Sequence, residues 1–365
     1  MTTVSKSGGI REGLHRILVI RLGAMGDILR TLPAVRLVRK AIPGCSIHWA
    51  CDDRWAQVLD GHPDLDGLLP LPRSLMDSNR RAPAGWLRTA GLVLEYRRQL
   101  RSTGFQLALD FHGNLRSGLV GAFSGAGVRI GYGGHQQKEW NSLFTTLKVD
   151  PGGRRDSRMT RNLRLLAPLG IGTESIPDGG LPVLPRLEAE AEELVRATLG
   201  QAGRYAVISP GVSASQAYKK PPPEFLAAAA ERLARSGIRS LVTHGPGERP
   251  DAERVAALSD GTAVVSPSTS LSLLFHLIRN AGLFIGGDTG PLHAACAVGT
   301  PVLALYGPTD PAVNAPWNVL HETAYPQGRT YTGIKKIDRA GGGFTGLTAA
   351  MVVDSLERLL AKMGG

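Results

Sequence analysis

The stretch that decides the fold is residues 283–311, LFIGGDTGPLHAACAVGTPVLALYGPTDP. An apolar run ends at Gly286-Gly287-Asp288, the chain turns through Thr289-Gly290, and Pro291 falls where the first position of a helix accepts proline. Ala294, Ala295 and Ala297 carry that helix to Gly299, and a second apolar run follows at 301–305. Strand, helix and strand in so short a span read as a crossover unit of a parallel sheet. The first helical turn offers backbone N–H groups without intrahelical acceptors, about half a positive charge, and the Thr289 hydroxyl. Nothing acidic intrudes just after Asp288. The turn is therefore a cradle for a phosphate or diphosphate at the carboxyl end of a strand.

The same alternation runs outward in both directions. Apolar runs at 17–20, 46–50, 106–110, 205–209, 239–243 and 282–286 alternate with helical patterns at 34–41, 84–102, 224–236, 251–258, 269–280 and 291–298. This predicts an α/β protein. The pattern stops near Pro151 and restarts near Tyr205, with a predicted helix at 157–166 and a Pro- and Gly-rich hinge, GIGTESIPDGGLPVLPR, at 170–186. A chain of 365 residues exceeds one comfortable core. Two doubly wound domains are expected, at 14–180 and 181–346, after a flexible leader at 1–13. Met351, Leu356, Leu359 and Leu360 give the closing segment helical spacing, and a helix at 347–363 is expected to pack back on the first domain.

Hydrophobic residues make up 42% and charged residues 20%, ordinary values for a globular chain. No apolar run approaches the roughly 20 residues of a membrane span, and the leader has no signal-peptide core. Cys45, Cys51 and Cys296 form neither a metal-ligand nor a disulfide spacing, which suits a reducing cytosol. The net charge of +11 is uneven: residues 1–165 hold 25 Lys and Arg against 13 Asp and Glu, while the remainder holds 17 against 18. A basic first half suits a polyanion, whether nucleic acid, an anionic membrane surface or a phosphorylated acceptor.

Near the start, RILVIRLGAMGDILRTLP at 16–33 repeats the strand–turn–helix pattern, but a carboxylate, Asp27, stands where a phosphate would sit. Two readings are open. Asp27 complements the first turn of a helix, or it is a general base facing an incoming hydroxyl, worth about 10²–10⁴ in rate. A dinucleotide fold is a weak rival: Arg21 occupies the place of the first glycine of G-x-G-x-x-G, although Asp52 lies near the spacing of a ribose-binding acid. Asp64-Leu65-Asp66 is formally the D-x-D of a metal site but follows His62-Pro63 and reads as a turn.

Four segments, IRLGAMGDILRTLPAVRLVRKAIPG, DFHGNLRSGL, KKPPPEF and GGDTGPLHAACAVGTPVLALYGPTDP, together resemble the bacterial heptosyltransferases of lipopolysaccharide core assembly, in the family's order from about Arg16 to Pro311. The resemblance implies a GT-B fold, two Rossmann-like doubly wound parallel-sheet domains facing a cleft. It also implies metal-independent, inverting transfer of heptose from ADP-heptose to Kdo-lipid A or heptosyl-Kdo-lipid A. Asp27 matches the family's base, and Lys219 the lysine that steadies the donor phosphates. Asp288, Thr289, Gly290 and His293 match the donor loop, Glu248 the acid that holds the ribose, Thr269 the adenine pocket and Ser213 the loop near the phosphates. Gly26, Arg116, Arg158 and Arg161, with Arg154 and Arg155 nearby, would suit phosphates or carboxylates of the acceptor.

No cofactor and no metal are expected, since the ADP-sugar is a substrate. The partners expected are that donor, a lipid A-Kdo type glycolipid and the anionic inner-membrane surface, with no nucleic acid, in a cytoplasmic protein held peripherally. The sequence departs from the family in lacking the tryptophan of K-x-W-P after Lys219 and in a longer loop before it. The segment GIKKIDRAGGGFTG also matches nothing in the family. The rival readings are another nucleotide-sugar donor, a GT-B-fold nucleotide-sugar epimerase, a binding module without catalysis, and a dehydrogenase.

Overall fold

The computed structural model describes residues 10–364 except 12, 81, 201, 202 and 332–341. Most of the leader expected at 1–13 and most of the unmatched segment at 333–346 lie outside the described residues. Two compact units are present, the first ending at Pro182 and the second beginning at Val183.

The first unit runs β1 (Arg16–Ile20), α1 (Met25–Leu29), α2 (Leu32–Ala41), β2 (Ser46–Asp52), β3 (Gly67–Leu71), α3 (Arg73–Asn79) and α4 (Gly85–Ser102). It continues with β4 (Leu107–Asp110), α5 (Leu115–Phe123), β5 (Val128–Tyr132), β6 (Leu147–Val149) and α6 (Arg158–Arg164). Short 3₁₀ turns at Asp53–Val58 and Asn141–Leu143 join these elements. The second unit opens with α7 (Pro185–Leu199), β7 (Tyr205–Ser209), a 3₁₀ turn at Ala214–Lys219, α8 (Pro223–Ala234), β8 (Arg239–Val242), α9 (Arg249–Leu258) and β9 (Ala263–Val265). It closes with α10 (Leu271–Asn280), β10 (Leu283–Gly287), α11 (Gly290–Val298), β11 (Val302–Leu305), α12 (Pro311–Asn314), β12 (His321–Ala324) and α13 (Ala349–Gly364).

Each unit holds one six-stranded parallel sheet. The orders are β3-β2-β1-β4-β5-β6 and β12-β11-β10-β7-β8-β9, so the two sheets share one topology. The central strands are buried on both faces, which is why RILVI, LALD, YAVIS and LFIGG read as continuous apolar runs. Register pairs Val19 with Trp49 on one side and Leu109 on the other, and Ile285 with Ile208. The winding direction reverses between β1 and β4, and again between β7 and β10. Ligands bind outside the strand carboxyl ends at such points.

One expectation is corrected. The closing helix α13 does not spend its apolar face on the first domain. Val352, Leu356 and Leu359 are fully buried in the core of the second unit, where α13 packs on α8, β11 and β12. Their spacing puts all three on one helical stripe, and that stripe covers the face of an edge strand otherwise bare to water.

Candidate active site

In the first unit the loops after β1 and β4 line a cavity of about 540 Å³. Gly23 opens the β1 loop at a φ of +156°, and a Cβ there would lie 2.9 Å from the Trp55 indole. Only glycine fits both conditions. The turn delivers Asp27 into the first turn of α1, whose N-cap is Ala24. Its carboxylate pairs with three guanidinium groups: Arg21, Arg30 at 3.3 Å and Arg158 at 3.1 Å. Arg21 and Arg30 are largely buried, and Arg158 is half-exposed.

The arginines are themselves fixed. Arg21 also donates to the Phe111 carbonyl at 2.5 Å. Asn162 of α6 donates to the Arg30 carbonyl at 3.0 Å and accepts from the Tyr132 hydroxyl at 3.0 Å. Helix α6 thereby brings Arg158 and Arg161 into the cavity wall, and Arg161 is tied at 2.5 Å to the Arg154 carbonyl.

Asp110, at the end of β4, accepts from His112 N at 2.9 Å, Gly113 N at 3.0 Å, Ser117 Oγ at 2.8 Å and Asn141 Nδ2 at 2.8 Å. Burial pushes its carboxyl upward while these donors pull against the shift. The result is a rigid His112–Asn114 loop, and Asn114 then caps α5 in a capping box with Ser117. Arg116, in the first turn of α5, enters the cavity; burial and the nearby Arg73 charge both lower its pKa. His112 also lines the cavity. Burial and Arg21 push its pKa down to about 3, and Nδ1 has no hydrogen-bond partner among the described residues. The ring is therefore neutral, with one nitrogen a donor and the other an acceptor.

Asp27, Arg116, Arg158 and Arg161 thus meet in one cavity. Gly26 sits beside Asp27 in α1, half-buried, and its carbonyl accepts from Arg30 N at 3.1 Å. Sequence reasoning missed Arg21, Arg30, Asp110 and His112. The available signal was an acid ending the apolar run at 106–110 and the basic residue on each side of the first loop.

The two carboxylates of the D-x-D stretch hold a turn: Asp64 pairs with Arg36 at 3.2 Å, and Asp66 pairs with Arg39 and accepts from Ile47 N at 2.7 Å. Asp52 forms a bidentate pair with Arg54 at 2.7 and 2.5 Å and caps the following 3₁₀ turn. Its carboxylate is engaged locally, which removes the chief support for the dinucleotide rival.

The second site lies at the β7–β10 switch point. Pro221 packs 3.1 Å from where a Cβ on Gly287 would sit, and this contact lays the KKPP loop over the end of β10. Lys219 Nζ then donates to Asp288 Oδ2 at 3.1 Å and to the Asp288 carbonyl at 3.4 Å. Buried His293 Nε2 stands 3.5 Å from the other carboxylate oxygen. Thr289 is the N-cap of α11, whose early N–H groups lack intrahelical acceptors. Glu248, after β8, accepts from Gly245 N at 2.9 Å and lies directly over Gly211 in the β7 loop.

Lys219, Glu248, Asp288, Thr289, Gly290 and His293 therefore gather along two adjacent loops and their neighbour. Ser213 is exposed, its hydroxyl 3.4 Å from that of Ser215, and it is the N-cap of the 3₁₀ turn ending on Lys219. Thr269, half-buried after β9, lies on the same sheet edge two strands from the switch point.

Two Rossmann-like domains, each with a polar site at its switch point, define the GT-B class of fold. The glycosyl transferase family 9 structure from Veillonella parvula DSM 2008 matches with a TM-score of 0.80 at 20% identity, over 98% of this chain and 100% of that one. The structure of E. coli heptosyltransferase WaaC with ADP matches with a TM-score of 0.72 at 23% identity, over 94% and 99%. Lipopolysaccharide heptosyltransferase 1 of Escherichia coli (strain K12) is 26% identical over 311 residues, 82% of this chain and 89% of that protein. The model of glycosyltransferase family 9 (heptosyltransferase) matches residues 93–332. The chain belongs to that family and is a glycosyltransferase.

Proposed function

We propose that this enzyme transfers heptose from ADP-heptose to the lipopolysaccharide inner core, Kdo-lipid A or heptosyl-Kdo-lipid A, with inversion and without a metal. The observation that carries the reading is the arginine-ringed Asp27 cavity in a chain of this family. Asp27 accepts the proton of the acceptor hydroxyl as that oxygen bonds to the anomeric carbon. The bond from that carbon to the ADP oxygen breaks, and ADP leaves with the electron pair. Phosphates or carboxylates on the acceptor give Arg116, Arg158 and Arg161 anionic partners, and they draw Arg158 away from Asp27.

In the second unit Lys219 and the first turn of α11 meet the diphosphate, while Glu248 takes the ribose and Ser213 and Thr269 border the nucleotide. The reading is supported by the Lys219–Asp288 pair, since a diphosphate competes with Asp288 for that lysine. Metal independence is supported by the arginine pairing of Asp64 and Asp66. The enzyme works at the cytoplasmic face of the inner membrane, held there peripherally and less firmly as salt rises. Transfer measured as ADP release, with Kdo-lipid A in detergent and EDTA present, tests the whole reading. Release without acceptor, or dependence on added divalent metal, overturns it.

A further inference from the structure

Helices α3, α4 and α5 and the Asn141–Leu143 turn pack side by side over one face of the first sheet. On α4, Tyr96 and Leu100 face the core, while Leu87 and Leu94 point the opposite way, 54% and 51% exposed. Trp86 beside them is 72% exposed, and Leu75 of α3 is also exposed. The same outward side of α4 carries Arg98 and Arg101, with Arg88 and Arg97 flanking it, and no carboxylate among the described residues forms an ion pair with any of the four. An exposed Trp–Leu stripe merging into unpaired arginines is the pattern of a helix lying in a membrane interface. The core of a protein–protein interface is instead depleted of charge.

The layer leads directly to the cavity. Ser74 at the start of α3 bonds Asp53 through its N–H and hydroxyl, which ties α3 to the 3₁₀ turn supplying Arg54 and Trp55 to the cavity wall. On the far rim, exposed Leu115, Trp140 and Leu143 adjoin the cavity residues Asn114, Arg116, Lys138 and Glu139. Among the described residues, seven of the ten exposed large apolar side chains therefore lie on this one layer.

We propose that the outer face of α3–α4 seats the enzyme on an anionic lipid bilayer, with Trp86, Leu87 and Leu94 entering the interface and Arg88, Arg98 and Arg101 contacting lipid phosphates. The bilayer is the occupant because the apolar stripe is framed by an excess of positive charge, four arginines against Glu95 on α4, in a half of the chain that is strongly basic. No described helix is long and apolar enough to cross a membrane, so attachment on this face is interfacial. The proposal rests on the reading of the acceptor as a membrane-held glycolipid, and it places the acceptor cavity next to the lipid surface.

The test is flotation with vesicles of phosphatidylethanolamine and phosphatidylglycerol, against vesicles of phosphatidylcholine alone. Wild type is compared with the triple change Trp86→Ser, Leu87→Ser, Leu94→Ser, and with the control Val183→Ser, Leu184→Ser, Leu320→Ser. Wild type and control bind the anionic vesicles, and the triple variant loses roughly tenfold or more in affinity. ADP release with acceptor in detergent stays unchanged. Trp86→Phe removes most of the quenching of indole emission by brominated lipid. A triple variant that binds like wild type overturns the face alone. Wild type indifferent to anionic vesicles overturns the face and the membrane reading together. A concentration-dependent dimer abolished by the triple change, with vesicle binding intact, assigns the face to a second copy and overturns the proposal.

Discussion

Replacing Asp27 by asparagine removes one negative charge from among three guanidinium groups and leaves the shape of the side chain. Two of those arginines, Arg21 and Arg30, have side chains only 13% and 7% exposed. Breaking such a buried pair costs about 3–5 kcal/mol. Arg21 keeps the Phe111 carbonyl and the cavity admits water, so the lower end applies, about 3 kcal/mol. Arg158, 47% exposed, adds less than about 1 kcal/mol.

A domain stable by about 5–15 kcal/mol survives this change. Even about 2 kcal/mol of remaining stability leaves roughly thirty folded molecules for each unfolded one, so unfolding accounts for a few per cent of lost activity. Loss of a general base removes about 10²–10⁴ in kcat, equivalent to about 3–5 kcal/mol of transition-state stabilisation. The two effects therefore separate. Urea unfolding reports the first, and ADP release at saturating donor and acceptor reports the second. Asp27→Asn with kcat within about threefold of wild type refutes the base role, whatever its stability.

Lys219→Met should weaken ADP binding roughly 10–100-fold in titration calorimetry, the worth of one charge-assisted hydrogen bond; unchanged affinity removes Lys219 from the donor site. His112 is held neutral with its pKa near 3, whereas an unfolded histidine takes up a proton below about 6.5. Between those values the unfolded chain binds the extra proton, so stability falls as pH drops, by about 2 kcal/mol from pH 6.5 to 5. His112→Gln should flatten that part of the urea midpoint against pH, and an unaltered slope shows the ring is not buried as described. Gly23→Ala should lower stability by about 1–3 kcal/mol and shift Trp55 emission; wild-type stability contradicts the positive φ and the indole contact.

The sequence displayed the central strands and the two switch-point loops because a parallel sheet buried on both faces leaves unbroken apolar runs. Edge strands left no such mark. GLLPL of β3 contains a proline, AVV of β9 is three residues long, and HETA of β12 is only half-buried. Helix α5, LRSGLVGAF, was hidden by two glycines, and its start is set by the Asn114–Ser117 capping box. The partner of α13 was illegible because helical spacing states which face is apolar and never what covers it. In the site, Asp27 stood out by type and position, whereas Lys219 was marked only by the resemblance of KKPPPEF to the family. The arginines of the Asp27 cluster come from the residue after β1, the C-cap of α1 and helix α6, more than 130 residues apart at the extremes, and only folding brings them together. Asp110 was hidden for the same reason: its four donors include Asn141, in a turn that no periodic pattern announces.

The shared strand order has a consequence for recombination. Each six-stranded sheet is complete on its own side of the Pro182–Val183 boundary, and even the closing helix stays with the sheet that precedes it. Among the described residues no strand is lent across the junction. Under the proposed division of donor and acceptor between the units, a crossover between two such genes at this point exchanges one site whole, so an activated sugar and its recipient can be re-paired by shuffling halves rather than by rebuilding either site.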